Sequence, residues 1–236
     1  MSWSSLIPLA DTPAPAAWFG KLPGIGDFAG RRLSHDLRST WDGWLRQGLE
    51  LLSSRAPHDW GTSFARAPLW FFVAGPQVAG AALCGAVAPS CDRVGRHYPL
   101  SVLACARPGE RLFVGERVLG QFYAGVRDAI AEARHQAQTA EQFDARLATL
   151  PWPFATRPAA PDPASSAVDA LLADLAHSGV ASTDQVALPE AAHWATAEAG
   201  AARSVWWSAG ANAQVLLHHG APDAALCARL FHGSES

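Results

Sequence analysis

Lysine is almost missing from this 236-residue chain: Lys21 is the only one, and arginine supplies the rest of the positive charge. Charged residues of all kinds make up only 17%, and the net charge is −3. A slightly acidic chain of this kind is not built to bind nucleic acid or an anionic membrane through bulk charge. Cysteine is also scarce, with Cys84, Cys91, Cys105 and Cys227 and no C-x-x-C pair. A chain of this length does not need disulfides to hold a core, so buried free thiols are expected. Cys84, Cys91, His97 and Cys105 are separated by six, five and seven residues, which matches no common zinc site, and no cofactor is expected.

Nucleophilic machinery is missing as well. The sequence has no G-x-S-x-G elbow, no H-E-x-x-H and no S-x-x-K. His218 and His219 fall in a predicted strand, where neighbours point to opposite faces and cannot share one metal ion. The N-terminus lacks a basic leader, and Pro8 interrupts its short apolar run, so a secretory signal is not expected. Residues 67–91 carry no charged side chain and are long enough to cross a bilayer. Their centre, Gly75-Pro76-Gln77-Val78-Ala79-Gly80, is turn chemistry, so two buried strands joined by a turn are expected instead of a membrane span. The expected compartment is the cytoplasm.

What the chain does have is 49% hydrophobic residues, ten of them tryptophan. A folded chain of this size buries about 70% of its surface, and low net charge with an ordinary apolar fraction excludes intrinsic disorder. Residues 1–16 carry three prolines and read as a loose arm, and residues 17–236 as one domain. Within it, 17–108 holds the motifs, and 109–236 holds helices followed by a strand hairpin and a last helix. Trp18–Leu22 reads as a strand, followed by a glycine-rich loop through Gly30. Leu37, Trp41, Trp44, Leu45 and Leu52 then share one helical face, with Ser34 or Asp36 as N-cap. Gly43 and Gly48 cost that helix stability, and permit a neighbour to come close.

Strands are expected at 69–74, 81–88 and 98–106. A helix over 115–136 carries the stripe Leu119, Phe122, Val126 and Ile130, and Thr139 with Gln142 has capping-box spacing before another. The prolines of 151–163 read as an extended connector. Val168, Leu171, Leu172 and Leu175 mark a further helix ending at Gly179. Strands 204–208 and 214–218 flank a Gly210-Ala211-Asn212 turn, and a final helix starts at Pro222 with Leu226 and Leu230 inward. The expected fold class is α/β: a mixed, largely antiparallel sheet with helices on both faces, a three-layer α/β/α arrangement.

Two loops carry the candidate chemistry. Gly20 to Gly30 sits between a strand and a helix, which is the context of a nucleotide loop. Its glycine spacing and the position of Lys21 are wrong for either phosphate fingerprint, leaving a glycine-dependent turn, a partner-binding loop or a phosphate switch open. The second loop, Asp92-Arg93-Val94-Gly95-Arg96-His97-Tyr98, could fork around an anion. Equally, Asp27 and Asp92 could pair with these arginines internally.

The motifs also form an ordered set: Trp18-Phe19-Gly20-Lys21-Leu22-Pro23, Gly26-Asp27-Phe28, Arg31-Arg32-Leu33 and Trp41-Asp42-x-Trp44-Leu45. They are followed by Pro68-Leu69-Trp70-Phe71-Phe72, Pro89-Ser90-x-Asp92-Arg93-Val94-Gly95-Arg96-x-Tyr98-Pro99-Leu100 and, later, Ser204-Val205-Trp206-Trp207-Ser208. The set resembles the TagF (ImpM) family of accessory proteins of the bacterial type VI secretion system. That resemblance implies a non-enzymatic cytoplasmic regulator that represses secretion post-translationally by binding a forkhead-associated scaffold protein of the apparatus. A structural component of the apparatus is the alternative. The family supplies no catalytic residues to transfer. If the two loops converge, Lys21, Asp27, Phe28, Arg31, Arg32, Asp92, Arg93, Arg96 and Tyr98 are the candidate partner-binding residues, since aromatic and arginine side chains dominate interface hot spots.

Overall fold

The computed structural model describes residues 15–112, 116–156, 203–209 and 214–232. The strands are β1 Ala17–Lys21, β2 Phe28–Arg31, β3 Trp70–Ala74, β4 Leu83–Ala88, β5 Leu100–Cys105, β6 Glu110–Leu112, β7 Phe154–Thr156, β8 Arg203–Ser208 and β9 Val215–His219. The helices are α1 His35–Arg55, α2 Trp60–Arg66, α3 Pro76–Ala79, α4 Glu116–His135, α5 Ala140–Ala148 and α6 Ala224–Phe231. Seven strands form one sheet in the order β2-β1-β5-β4-β3-β8-β9, and each neighbouring pair is antiparallel. β6 and β7 pair separately.

Both faces of this sheet are covered. Alternate residues of each strand point to opposite sides, so in β3 Phe71 and Val73 join one core while Trp70, Phe72 and Ala74 join the other. The first core lies under α4 and α5, through Leu119, Phe122, Tyr123, Val126, Ile130, Phe143 and Leu147. The second lies under α1, α2, α3 and α6, through Trp41, Trp44, Leu45, Phe64, Val78, Leu226 and Phe231. The expected three-layer arrangement is therefore formed. Strands covered on both faces have no solvent side, which is why residues 67–91 could do without a charge.

Indole N–H groups fasten the layers together. Trp44 donates to the Asp223 carbonyl at 2.7 Å and Trp70 to the Leu230 carbonyl at 2.7 Å, tying α1 and β3 to α6. Trp41 reaches Ser101 on β5 at 3.0 Å. Where α1 meets α6, a Cβ on Gly48 would stand 2.2 Å from Cys227 Cβ, so the close approach expected at this glycine is made. Gly43 faces open space.

Local signals placed the helices well. Ser34 caps α1, its oxygen accepting from Leu37 N, and Thr139 with Gln142 makes the full capping box of α5. The last helix starts at Ala224, two residues after the expected Pro222, with Asp223 as its cap. Elsewhere the structure departs from expectation. Residues 28–31 are a strand, not loop. α2 and the β6–β7 pair were unmarked by any periodicity, being too short to show one. Gly75–Gly80 contains the single helical turn α3, stopped by Gly80 at φ +83°. The start of the proline-rich connector is packed, with Phe154 buried in β7. At the other end, Ala16 is already buried, so the arm is anchored there. The expected helix at 168–175 and the turn at 210–212 lie outside the described residues.

Candidate functional site

The two candidate loops do converge. The first, between Lys21 and Phe28, joins the antiparallel strands β1 and β2; the second, 91–97, precedes β5, which pairs with β1 on its other side. Arg93 N donates to the Ile25 carbonyl at 2.9 Å, and the Arg96 guanidinium donates to the Gly26 carbonyl at 2.7 Å. Below them Ser90 Oγ donates to the Lys21 carbonyl at 2.8 Å.

Asp92 is the centre of the second loop. Its side chain has no exposed surface, and it takes an ion pair from Lys21 at 3.0 Å and from Arg96 Nε at 2.6 Å. Its other oxygen accepts the backbone N–H groups of Val94 at 3.1 Å and Arg96 at 2.9 Å. Burial alone would raise the pKa of this carboxyl. The Arg96 backbone N–H, Lys21 and the Arg96 guanidinium outweigh that and hold it well below the ordinary carboxylate range. Lys21 is itself buried, with only 8% of its side chain exposed, and also donates to the Arg96 carbonyl at 3.3 Å. Lys21, Asp92 and Arg96 thus form an internal fastener, as one of the two readings of the sequence anticipated. Asp27 takes no part in it: its carboxylate is exposed and accepts from Phe28 N at 2.7 Å.

Phe28 rests on this fastener. Its ring stacks on Phe19 at 5.7 Å and meets Tyr98 edge-on at 4.7 Å, with the Lys21 ammonium 5.1 Å from its centre. It remains 39% exposed. Tyr98 is buried and donates to Asp42 at 2.6 Å. Burial and then that carboxylate raise its pKa far above the usual phenol value, so it stays a donor.

Arg31 and Arg32 belong to another place. They follow the β2 edge and turn to α5, where Arg31 meets Glu141 at 3.3 Å and Arg32 grips Asp144. Arg32 has a left-handed backbone (φ +64°), which a non-glycine residue adopts only when surroundings hold it there. Its guanidinium is held by the carbonyls of Pro15 and Ala16 as well as by Asp144. Trp18 Nε1 donates to the same carboxylate at 2.7 Å. Despite the burial penalty, these partners lower the Asp144 pKa.

The nucleotide reading of the glycine loop loses its context. The loop leads into strand β2 instead of a helix N-terminus, so no helix dipole from this loop faces a phosphate. Its glycines serve close packing: a Cβ on Gly20 would lie 2.1 Å from the Pro99 carbonyl oxygen, and one on Gly24 2.1 Å from that of Ala137. Gly26 differs, because the nearest atom to its Cβ position is Arg93 Nη2 at 3.7 Å.

Sequence reasoning overlooked Asp42, Arg38 and Val94 at this site. Asp42 stood within a recognised motif as a lone acid on an otherwise apolar helical stretch, which was a usable signal. Arg38 lies with its guanidinium 4.8 Å from the Phe19 ring, a contact no spacing announces. Val94, between the two loop arginines, is 68% exposed.

Fold and site together define an α/β/α sandwich with an antiparallel sheet, whose paired loops at one sheet end are locked by a buried carboxylate beneath an exposed aromatic. A family model described as the TagF N-terminal domain, type VI secretion system-associated, matches residues 17–150. The chain belongs to this type VI secretion-associated family. It is also similar to the crystal structure of PA0076 from Pseudomonas aeruginosa PAO1, with 27% sequence identity over 94% of this chain and 95% of that one, at a TM-score of 0.65. No curated relative matches. Among the described residues no helix is long and apolar enough to cross a membrane.

Proposed function

We propose that this protein is a non-enzymatic, cytoplasmic accessory protein of type VI secretion that represses the apparatus post-translationally by binding its forkhead-associated scaffold protein. Family membership supplies the setting. The observation that carries the binding role is the state of Asp92. Its two oxygens already accept from Lys21, Arg96 and two backbone amides, and its depressed pKa removes it from service as a general acid or base near neutral pH. A buried carboxylate used in this way stiffens a surface, and stiff loops bearing an exposed aromatic bind at low entropic cost.

The test combines purified protein with the purified scaffold from the same bacterium, by calorimetric titration, and follows secretion in cells that overproduce the protein. A saturable complex together with suppressed secretion is expected. Absence of a complex, with secretion unchanged by overproduction, would overturn the proposal. Recovery of the protein in stoichiometric amount with assembled apparatus particles would instead make it a structural component.

A further inference from the structure

The loop cluster contains more positive charge than it neutralises. Lys21 and Arg96 share Asp92, and Arg46 is matched by Asp42 at 3.1 Å. Arg38, at the Phe19 ring, and Arg93, beside Gly26, are exposed, and neither has an acid within ion-pair distance among the described residues. Of the cations Lys21, Arg38, Arg46, Arg93 and Arg96, three are paired with Asp42 or Asp92, and Arg38 and Arg93 have no ion pair among the described residues. Unpaired exposed guanidinium groups give this end of the sheet a positive potential, which favours an anionic partner.

Placement of the apolar groups agrees. Of the four large hydrophobic side chains exposed among the described residues, Phe28 and Val94 lie in this cluster. Arg93 Nη2 lies 3.7 Å from where a Cβ on Gly26, two residues before Phe28, would stand, and the Arg93 backbone N–H is pinned to the Ile25 carbonyl. The guanidinium is thus carried by a fixed loop, and among the described residues no acceptor takes its donors. A planar fork of this kind takes a carboxylate in bidentate fashion.

We infer that this end of the sheet docks an acidic polypeptide segment of the partner, with Arg93 and Arg38 taking its carboxylates and Phe28 and Val94 receiving the apolar side chains between them. The inference rests on the scaffold-binding reading above and adds which surface binds and what chemistry it recognises. Arg96 is not part of the recognising pair, because its guanidinium is committed to Asp92 and Gly26.

The experiment is calorimetric titration of the purified scaffold with wild type, Arg93→Glu, Arg38→Glu and Phe28→Ala, and with Leu217→Ser on the distant strand β9 as control. Thermal denaturation verifies that each variant is folded; the two arginines are exposed and have no ion pair among the described residues, so reversal there is expected to leave the fold intact. Each of the three cluster variants is expected to weaken binding at least about tenfold, Leu217→Ser to bind as wild type, and added salt to weaken the wild-type complex. Wild-type affinity in both arginine variants, with wild type itself binding, overturns this surface and leaves the scaffold reading standing. Failure of wild type to bind overturns that reading and the inference with it. Pretreating the scaffold with phosphatase separates the sources of the anion: unchanged affinity supports carboxylates, and lost affinity overturns them in favour of phosphate.

Discussion

Lys21, the last residue of β1, and Asp92 of the second loop meet at 3.0 Å with both side chains almost wholly removed from solvent. A lone buried charge is costly, and a buried pair is tolerated only when its remaining hydrogen-bonding capacity is filled. Here the remaining capacity is filled by Arg96 and by backbone groups of the same loop. The pair thereby fixes the second loop against β1.

The two partners are not equivalent. Asp92→Ala strands Lys21 and releases two backbone amides, whereas Lys21→Met leaves Asp92 still paired with Arg96. Asp92→Ala is therefore expected to lower the thermal midpoint well beyond Lys21→Met, and Arg31→Ala, which removes an exposed pair, should change it little. Thermal denaturation of the three variants checks the order. Equal effects of Asp92→Ala and Arg31→Ala would remove the fastener from the account.

Both Asp92 and Asp144 have depressed pKa values in the folded state. A depressed carboxyl contributes stability that is fully present above its unfolded value, about 3.9, and is lost as the pH falls through the folded value. Stability is thus expected to hold from neutral pH down to about pH 5 and to drain below about pH 4. The gap in thermal midpoint between wild type and Asp144→Asn should narrow over the same acid range. A gap that stayed constant from pH 7 to about pH 3 would contradict the Arg32 and Trp18 interactions as its source.

Gly43 and Gly48 lie on one helix and should respond with opposite sign. Gly43 has open space, so Gly43→Ala is expected to stabilise by roughly 0.5–1 kcal/mol through helix propensity. Gly48→Ala drives a methyl into Cys227 and should cost about 1–3 kcal/mol. Chemical denaturation curves with unchanged slopes would report both.

The loop glycines offer a parallel contrast. Gly24→Ala meets backbone oxygens of Ala137 and Gln138 that cannot swing away, and is expected to destabilise by about 2 kcal/mol or more. Gly26→Ala meets only the Arg93 side chain at ordinary contact distance and should stay within about 0.5 kcal/mol of wild type. If Gly26→Ala folds normally yet weakens scaffold binding, the space beneath Arg93 matters for recognition.

The sequence by itself determined the elements whose signals are local. Ser34 ahead of a helical apolar face defined α1, the Thr139–Gln142 box started α5, and the uncharged stretch from Leu69 to Ala88 required two strands hidden on both sides. The ordered motif set also identified the family, because family resemblance needs order and spacing but not contacts. Strand β2 was not legible, since Phe28-Ala29-Gly30-Arg31 has neither alternation nor β-branched residues; its extended form is imposed by hydrogen bonding to β1. The nine candidate residues likewise divided only in space. Arg31 and Arg32 read as neighbours of the glycine loop, yet the hairpin carries them to Glu141 and Asp144 on α5. Arg93 and Arg96 are three positions apart and look alike in sequence, but one is spent on a buried carboxylate and the other is left facing solvent. Burial and pairing are properties of the assembled sheet end, where a buried charge is retained only beside a partner. Only the tertiary structure could decide which arginine holds the loop and which is free to bind.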